Sequence, residues 1–193
     1  RGTPVVLVDM TSEDKSFSSV SVDDVAGGDL VVQHLVEGGA KRIAFVGGPL
    51  IREQVADRLS GARNAVEAGQ ATLEVIETPA MTVAAGRAVG EALLERATEA
   101  MPDALFAAND LVALGLMQAI IVDGRFAIPE DVAIVGYDDI AYSATSIVPL
   151  TSVRQSPELI GSTALGLLHA EANNGSEAVK QIVIQPEDRK SVV

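Results

Sequence analysis

Cysteine and tryptophan are absent from the sequence, and only 3% of its residues are aromatic. Without cysteine, the chain has no disulfide framework, no thiolate nucleophile and no Cys-ligated metal. No apolar run approaches the ~20 residues of a membrane helix, and the chain opens without the charged and apolar regions of a signal peptide. We therefore expect a cytoplasmic protein that makes no contact with a membrane.

Positive charge is also scarce. The 14 Lys and Arg residues face 27 Asp and Glu residues, for a net charge of -13. Such a chain repels phosphate backbones, so if the protein acts on DNA, the contacting part is not in this chain. Its 193 residues, 48% of them hydrophobic, suffice for one large or two small packed domains.

Short apolar runs alternate with helical patterns along the chain. The runs are typical of strands buried on both faces of a parallel sheet; they lie at residues 5–8, 43–46, 73–76, 104–107, 132–135 and 182–184. The helical patterns cover residues 24–37, 52–68, 84–98 and 110–122, with a final helix from Ser156-Pro157 to Asn173-Asn174-Gly175. This β-α-β-α order predicts a doubly wound α/β fold.

Polar residues follow the predicted strands, where open parallel sheets bind their ligands. They comprise carboxylates, a carboxamide and two arginines just past a glycine turn: Asp9, Arg52, Arg58, Asn109, Asp110, Asp138 and Asp139. Carboxylates accept from pairs of hydroxyls, arginine donates in a fixed fork, and asparagine does both. This mixture predicts a site for a polyhydroxylated small molecule.

Several of these residues also have a purely structural explanation. Asp24 and Asp110 stand where helix caps belong, whereas Asn109 has no such role and is expected to contact the ligand. Neighbouring residues at a strand end point in opposite directions, so one of Asp138 and Asp139 is expected to face the site. Gly47-Gly48 favours a tight turn over a phosphate cradle, because no P-loop or dinucleotide motif surrounds it.

Motifs for catalysis or metal binding are missing. The sequence contains no G-x-S-x-G nucleophile elbow, no H-E-x-x-H pair and no aspartyl-nucleophile motif. We therefore expect a protein that is not an enzyme, with no catalytic residues, no metal and no cofactor.

Six segments, in order and spacing, resemble landmarks of the lactose-repressor-type (LacI/GalR) regulators. They are PVVLVD at 4–9, SVDDVAGG at 21–28, RIAFVGGP at 42–49, FAANDLVALG at 106–115, PEDVAIVGYDDI at 129–140 and PLTSVRQ at 149–155. The resemblance covers nearly the whole chain. It implies the type I periplasmic-binding-protein fold, in which two doubly wound, three-layer α/β/α lobes flank a ligand cleft.

The same resemblance implies how the chain divides between the lobes. The N-lobe is expected to comprise residues 1–23 and 152–177, and the C-lobe residues 24–151 and 178–193. The family's helix-turn-helix, its hinge helix and the start of the N-lobe are expected to lie outside this chain. The N-lobe is therefore incomplete here, and upstream residues or a partner should cover its exposed face.

Effector contacts carry over by resemblance, position by position. Arg58 resembles the arginine that grips the effector, Asn109 and Asp138 match other polar contacts, and Arg52 matches a contact of some members. Asp9 is expected to face the cleft from the N-lobe. Met81 falls where many members stack an aromatic ring on the ligand, and a thioether there puts ring stacking in doubt.

The implied function is allosteric control of transcription. A small effector, either a sugar or a related polyol or nucleoside, would bridge the lobes and change operator DNA binding through the helix-turn-helix. The resemblance also implies a homodimer, with residues 113–121 and 140–147 in its interface.

Two other functional classes stay open. A periplasmic sugar-binding protein of a transport system shares the fold, although the Val153-Arg154-Gln155 landmark is less expected there. A sugar-modifying enzyme would need a base or nucleophile in the cleft, for which Asp9, Asp138 and Asp139 are the candidates.

Overall fold

A computed structural model describes residues 3–10, 16–68, 71–174 and 179–189 of the chain. Within them the elements are, in chain order, β1 (Val6–Val8), β2 (Ser18–Val22), α1 (Asp24–Glu37), β3 (Arg42–Gly47), α2 (Glu53–Ala68), β4 (Thr72–Glu77), α3 (Val83–Leu94), β5 (Ala104–Ala107), α4 (Asp110–Asp123), β6 (Ala133–Asp138), β7 (Thr151–Arg154), α5 (Pro157–Asn174), β8 (Gln181–Ile184) and β9 (Glu187–Arg189). Short 3-10 turns lie at Thr98–Ala100 and Ser143–Thr145.

The chain divides into two compact units. The small unit comprises Arg1–Asp23 and Gln155–Pro186, and the large unit comprises Asp24–Arg154 and Glu187–Val193. The expected lobe boundaries at 152 and 178 differ from this division for a reason of strand pairing. β7 pairs with β6 in the large sheet, and β8 pairs with β2 in the small one, so residues 152–154 and 181–184 each lie in the unit opposite to the expected one.

The small unit is built on a three-stranded parallel sheet in the order β1-β2-β8, with α5 packed against β1 and β2. Its middle strand, β2, is buried along its whole length although three of its five residues are serine. By contrast, α5 exposes Leu159, Leu165 and Leu168 to solvent.

The large unit contains a six-stranded sheet in the order β4-β3-β5-β6-β7-β9, parallel except for β9. Alternate residues of its central strands enter two separate apolar clusters. Phe45 and Phe106 lie in the cluster under α1 and α2, where their rings pack edge to face with centroids 5.1 Å apart. Val46 and Leu105 lie in the cluster under α3 and α4. The predicted doubly wound α/β fold is confirmed, with three layers in this unit.

Most predicted elements agree with the structure to within two residues. The main exception among the helices is α3, which ends at Leu94 with Glu95 as its C-cap, four residues before the predicted end at Thr98. β2, β7 and β9 were not among the predicted strands, since they are too short or too polar to form apolar runs.

Both helix pairs of the large unit cross through glycines. A Cβ added at Gly28 of α1 would lie 2.0 Å from the Arg58 carbonyl oxygen of α2, and one at Gly61 would lie 1.9 Å from the Val25 oxygen. A Cβ at Gly86 of α3 would lie 2.2 Å from the oxygen of Val112 in α4. Gly86 therefore allows α3 to lie close to α4.

The α3–α4 crossing should not tolerate a methyl group. A Cβ at Gly115 would lie 2.1 Å from the Val83 oxygen and 2.6 Å from the Arg87 nitrogen, both backbone atoms. We predict that Gly115→Ala lowers the free energy of unfolding by about 1–3 kcal/mol, the usual cost of overpacking. Urea denaturation followed by circular dichroism measures this change.

Gly161→Ala is the matched control, because Gly161 also lies within a helix, α5, and has open space around its Cβ position. That change should be neutral or should stabilise by up to about 1 kcal/mol, through helix propensity. An equal response of both variants would show that backbone proximity at Gly115 is not the constraint.

Candidate functional site

Arg58 lies in the middle of α2, and its side chain is only 3% exposed. Its Nε donates to Asp24 Oδ1 at 2.8 Å, and its Nη1 donates to the Ala108 carbonyl oxygen at 2.6 Å. Asp24 is the first residue of α1, and Ala108 directly follows β5. Three elements therefore fix the orientation of one guanidinium group.

Asp138 and Tyr137, at the end of β6, form the other side of this cluster. The Arg58 guanidinium carbon lies 3.7 Å from the centroid of the Tyr137 ring, in a cation–π contact, and Nη1 lies 3.6 Å from Asp138 Oδ1. Asp138 has φ 103° and Asp139 has φ 50°, a region that residues with side chains rarely adopt. Backbone strain of this kind persists where the surrounding structure holds it, and it concentrates at functional sites.

Electrostatics favour a permanently charged Arg58. Burial lowers the pKa of its guanidinium, but the carboxylates of Asp24 and Asp138 more than offset this, so the pKa lies above its usual value. Burial raises the pKa of the Tyr137 hydroxyl, and the negative charge of Asp24 raises it further. The tyrosine therefore stays neutral beneath the cation.

Two features of the cluster suit a polar ligand. Among the described residues, Arg58 Nη2 donates no hydrogen bond, and the Asp138 side chain is 34% exposed. Fixed donors next to a carboxylate match two neighbouring hydroxyl groups, one of which accepts from arginine while the other donates to aspartate. The arrangement can thus bind a polyhydroxylated molecule.

The structure assigns the helix-cap role to Asn109 rather than to Asp110. Asn109 is the N-cap of α4, where its side-chain oxygen accepts from the Val112 amide at 3.0 Å. Asp110 is fully buried and binds Ser143, Ser152 and the Ile140 amide instead. Asn109 therefore has a cap function that we did not expect, and it lies next to Ala108, whose oxygen holds Arg58.

The other predicted contacts are divided between the two units. Arg52 is exposed in the turn before α2, where its amide donates to the Pro49 oxygen. Met81 is partly buried against both apolar clusters of the large unit. Asp9 is an exposed residue of the small unit, with φ 59° and its amide bound to the Val20 oxygen at 2.8 Å.

Gly47 is the last residue of β3 rather than part of the predicted tight turn, and both Gly47 and Gly48 allow close packing. A Cβ at Gly47 would lie 2.1 Å from the Ala108 Cβ, and one at Gly48 would lie 2.2 Å from the Thr78 oxygen. The described residues contain no group of three or more His, Cys, Asp or Glu side chains that could hold a metal ion. No helix among them has the length and apolar character needed to span a bilayer.

Asp24 and Tyr137 are the site residues that the sequence analysis missed. Asp24 was interpreted as a helix cap, but its carboxylate binds Arg58 across 34 residues of sequence. Gly28 and Gly61 could have indicated this contact. Both lie inside predicted helices, where no turn requires a glycine, so they indicate that α1 and α2 pack closely. Nothing in the sequence indicated that the Tyr137 ring lies under the arginine.

Comparison with known proteins agrees with this architecture. The periplasmic binding protein-like domain family matches residues 32–192. The HTH-type transcriptional regulator CelR of Thermobifida fusca is 38% identical over 159 residues, which are 80% of this chain and 45% of CelR. The ribose operon repressor of Escherichia coli strain K12 is 31% identical over 174 residues, which are 86% of this chain and 50% of the repressor. The chain thus spans about half the length of these curated relatives.

Solved structures agree as well. A LacI family transcriptional regulator from Enterococcus faecium with bound ribose has a TM-score of 0.87 and 28% identity, over 97% of this chain and 69% of that chain. Family match and structural similarity extend over both units described above. The chain therefore belongs to the periplasmic binding protein-like domain family, as an effector-binding domain of the LacI-regulator type.

Proposed function

We propose that this chain senses a small polar effector for a DNA-binding transcription regulator in the cytoplasm. The observation that carries the proposal is the Arg58–Asp138 pair, in which a rigidly held guanidinium lies beside a partly exposed carboxylate at the carboxyl end of the large sheet. Ligands of open parallel sheets bind at this end. The chain binds the effector, and the part of the protein outside it contacts operator DNA.

A sugar, or a related polyol or nucleoside, fits the chemistry of this pair. The Enterococcus faecium regulator similar to this chain carries bound ribose, which supports the same class of ligand here. Asp9, Arg52, Met81 and Asn109 complete the proposed set of contacts, as the family resemblance implies. A thioether at Met81 adapts to a nonplanar ligand more readily than an aromatic ring does.

The regulator class is favoured over the two alternatives. The relatives above are named as transcriptional regulators or repressors, which supports the regulator class. In the described site, Asp138 faces a charged arginine at 3.6 Å. This ion pair, held in a fixed geometry, favours binding over catalysis.

We further propose that the protein is a homodimer that assembles through one apolar groove of the large unit. The groove has a volume of about 500 Å³ and is lined by Val83, Leu111, Leu114, Met117, Gln118, Ile121, Val122, Tyr142, Thr145, Ser146 and Ile147. None of these described lining residues is charged. Two copies of a chain with net charge -13 repel each other, so an uncharged apolar surface is where they can associate.

Effector binding should depend on the Asp138 carboxylate. We predict that a thermal-shift screen of the full-length protein against D-ribose, D-glucose, cellobiose, sorbitol and adenosine finds a compound that raises the melting temperature, because a ligand of the native state stabilises it. Asp138→Asn should weaken the affinity for that compound by about tenfold or more, since a charged hydrogen bond is lost. Isothermal titration calorimetry measures the affinity.

Asp123→Asn is the control for this experiment. Asp123 lies at the opposite end of α4 from Asn109, about 20 Å away along a helix of 14 residues. Its variant should bind the compound like the parent protein. A folded protein with no response to any compound would contradict the proposed ligand class, whereas unchanged affinity in Asp138→Asn would remove this residue from the site.

A charge in the groove should dissociate the dimer. Ile147 is 84% exposed, and we predict that Ile147→Asp raises the dimer dissociation constant at least about a hundredfold, because two copies would bring like charges together in a desolvated interface. Sedimentation equilibrium measures the constant. Ile51→Asp, at a 93% exposed isoleucine outside the groove, should leave it unchanged. An equal effect of the two variants would exclude the groove as the interface.

A further inference from the structure

Asp110 is a buried carboxylate that the proposed effector contacts do not use. Its side chain is 0% exposed, yet it is not part of the Arg58 cluster. Burial raises its pKa, and the nearby Asp139 carboxylate adds to this, while three hydrogen bonds act in the opposite direction. Burying a carboxyl group costs free energy unless its oxygens accept hydrogen bonds. The three hydrogen-bond partners of Asp110 therefore indicate its role in the structure.

Two of the partners belong to the segment 140–147, which borders the apolar groove. The Ile140 amide donates to Asp110 Oδ2 at 2.9 Å, and the Ser143 hydroxyl donates to the same oxygen at 2.5 Å. Asp110 itself starts α4, whose residues Leu111 and Leu114 line the groove from the other side. The carboxylate therefore ties one wall of the groove to the other.

The third partner leads to the Arg58–Asp138 pair. The Ser152 hydroxyl donates to Asp110 Oδ1 at 2.7 Å and accepts from the Asp139 amide at 3.0 Å. That amide belongs to the peptide unit between Asp138 and Asp139, the two strained residues with positive φ. Asp110 thus holds, through one serine, the turn that presents the Asp138 carboxylate.

The chain also keeps room for this contact. A Cβ added at Gly136 would lie 2.1 Å from Asp110 Oδ1. No larger residue at position 136 is compatible with the carboxylate in its present place. The glycine inside β6 is therefore explained by Asp110 rather than by a turn.

From this geometry we propose that Asp110 is a positioning residue that couples the Asp138 turn to the homodimer groove. A change in the electrostatic state of Asp138 alters the strained turn. The Ser152 hydrogen bonds transmit this change in the turn to Asp110, and the Asp110 hydrogen bonds transmit it to the segment 140–147. Ligand binding then changes the free energy of dimer assembly, and dimer assembly changes the free energy of ligand binding by the same amount, as allosteric linkage requires. This inference rests on the proposed function, because it uses both the effector site and the dimer.

A double-mutant cycle on the full-length protein tests the coupling without any ligand. Asp138→Asn removes the charge beside Arg58 and serves as the perturbation of the effector side. We expect it to change the dimer dissociation constant, measured by sedimentation equilibrium, by about fivefold or more, within the usual range of allosteric coupling. In the Asp110→Asn background, the same change should have an effect within about twofold, as for independent sites.

Ser152→Ala provides a second route. It removes the hydrogen bonds of the Ser152 hydroxyl with Asp110 and with the Asp139 amide, and it leaves Ile140 and Ser143 bound to Asp110. The Asp138→Asn effect should again fall to within about twofold. A merely structural role would instead shift the dimer constant equally in both Asp138 backgrounds. Circular dichroism of each variant confirms that it is folded before the cycle is evaluated.

The outcomes separate this inference from the function on which it rests. If Asp138→Asn leaves the dimer constant unchanged in the parent protein, or if its effect persists fully in either the Asp110→Asn or the Ser152→Ala background, the coupling role of Asp110 is overturned. If Ile147→Asp has no effect on assembly, the proposed groove dimer fails first, and the inference falls with it.

Discussion

The close crossing of α1 and α2 is the constraint on which the candidate site depends. Gly28 packs directly against the backbone oxygen of Arg58, where a side chain would not fit. The glycine therefore determines how deeply Arg58 is buried. At this depth the guanidinium reaches Asp24 and the Ala108 oxygen and covers the Tyr137 ring. A buried cation is stable only with such partners. Helix packing and ligand chemistry are thus specified by the same few residues.

The sequence predicts the fold well because the large unit follows simple rules. Its strands are apolar on both faces, and its helices have recognisable ends, such as the left-handed Gly124 that terminates α4. Strands that break this pattern are the ones missed. β2 consists of three serines and two valines and is nevertheless buried, and β9 is a charged strand that pairs antiparallel at the sheet edge. Their position depends on neighbours distant in sequence, which local patterns do not contain.

The site was predictable in its residue types but not in its contacts. Strand ends identified Asp138, and the position just past the glycine turn identified Arg58. The family resemblance supported both, and these two side chains lie together in the structure. Which of Asn109 and Asp110 caps α4 was beyond the sequence, since either residue can cap a helix. What decides between them is whether Ser143 and Ser152 are close enough to satisfy a buried carboxylate, and those residues are 33 and 42 positions away.

The uncharged groove on an otherwise acidic chain has a consequence for ionic strength. Added salt screens the repulsion between two chains of net charge -13 and strengthens apolar association, while it weakens contacts with DNA phosphates. In the proposed regulator, subunit assembly and operator binding would therefore respond to salt with opposite sign. The total salt dependence of operator binding would then be smaller than the number of phosphate contacts implies.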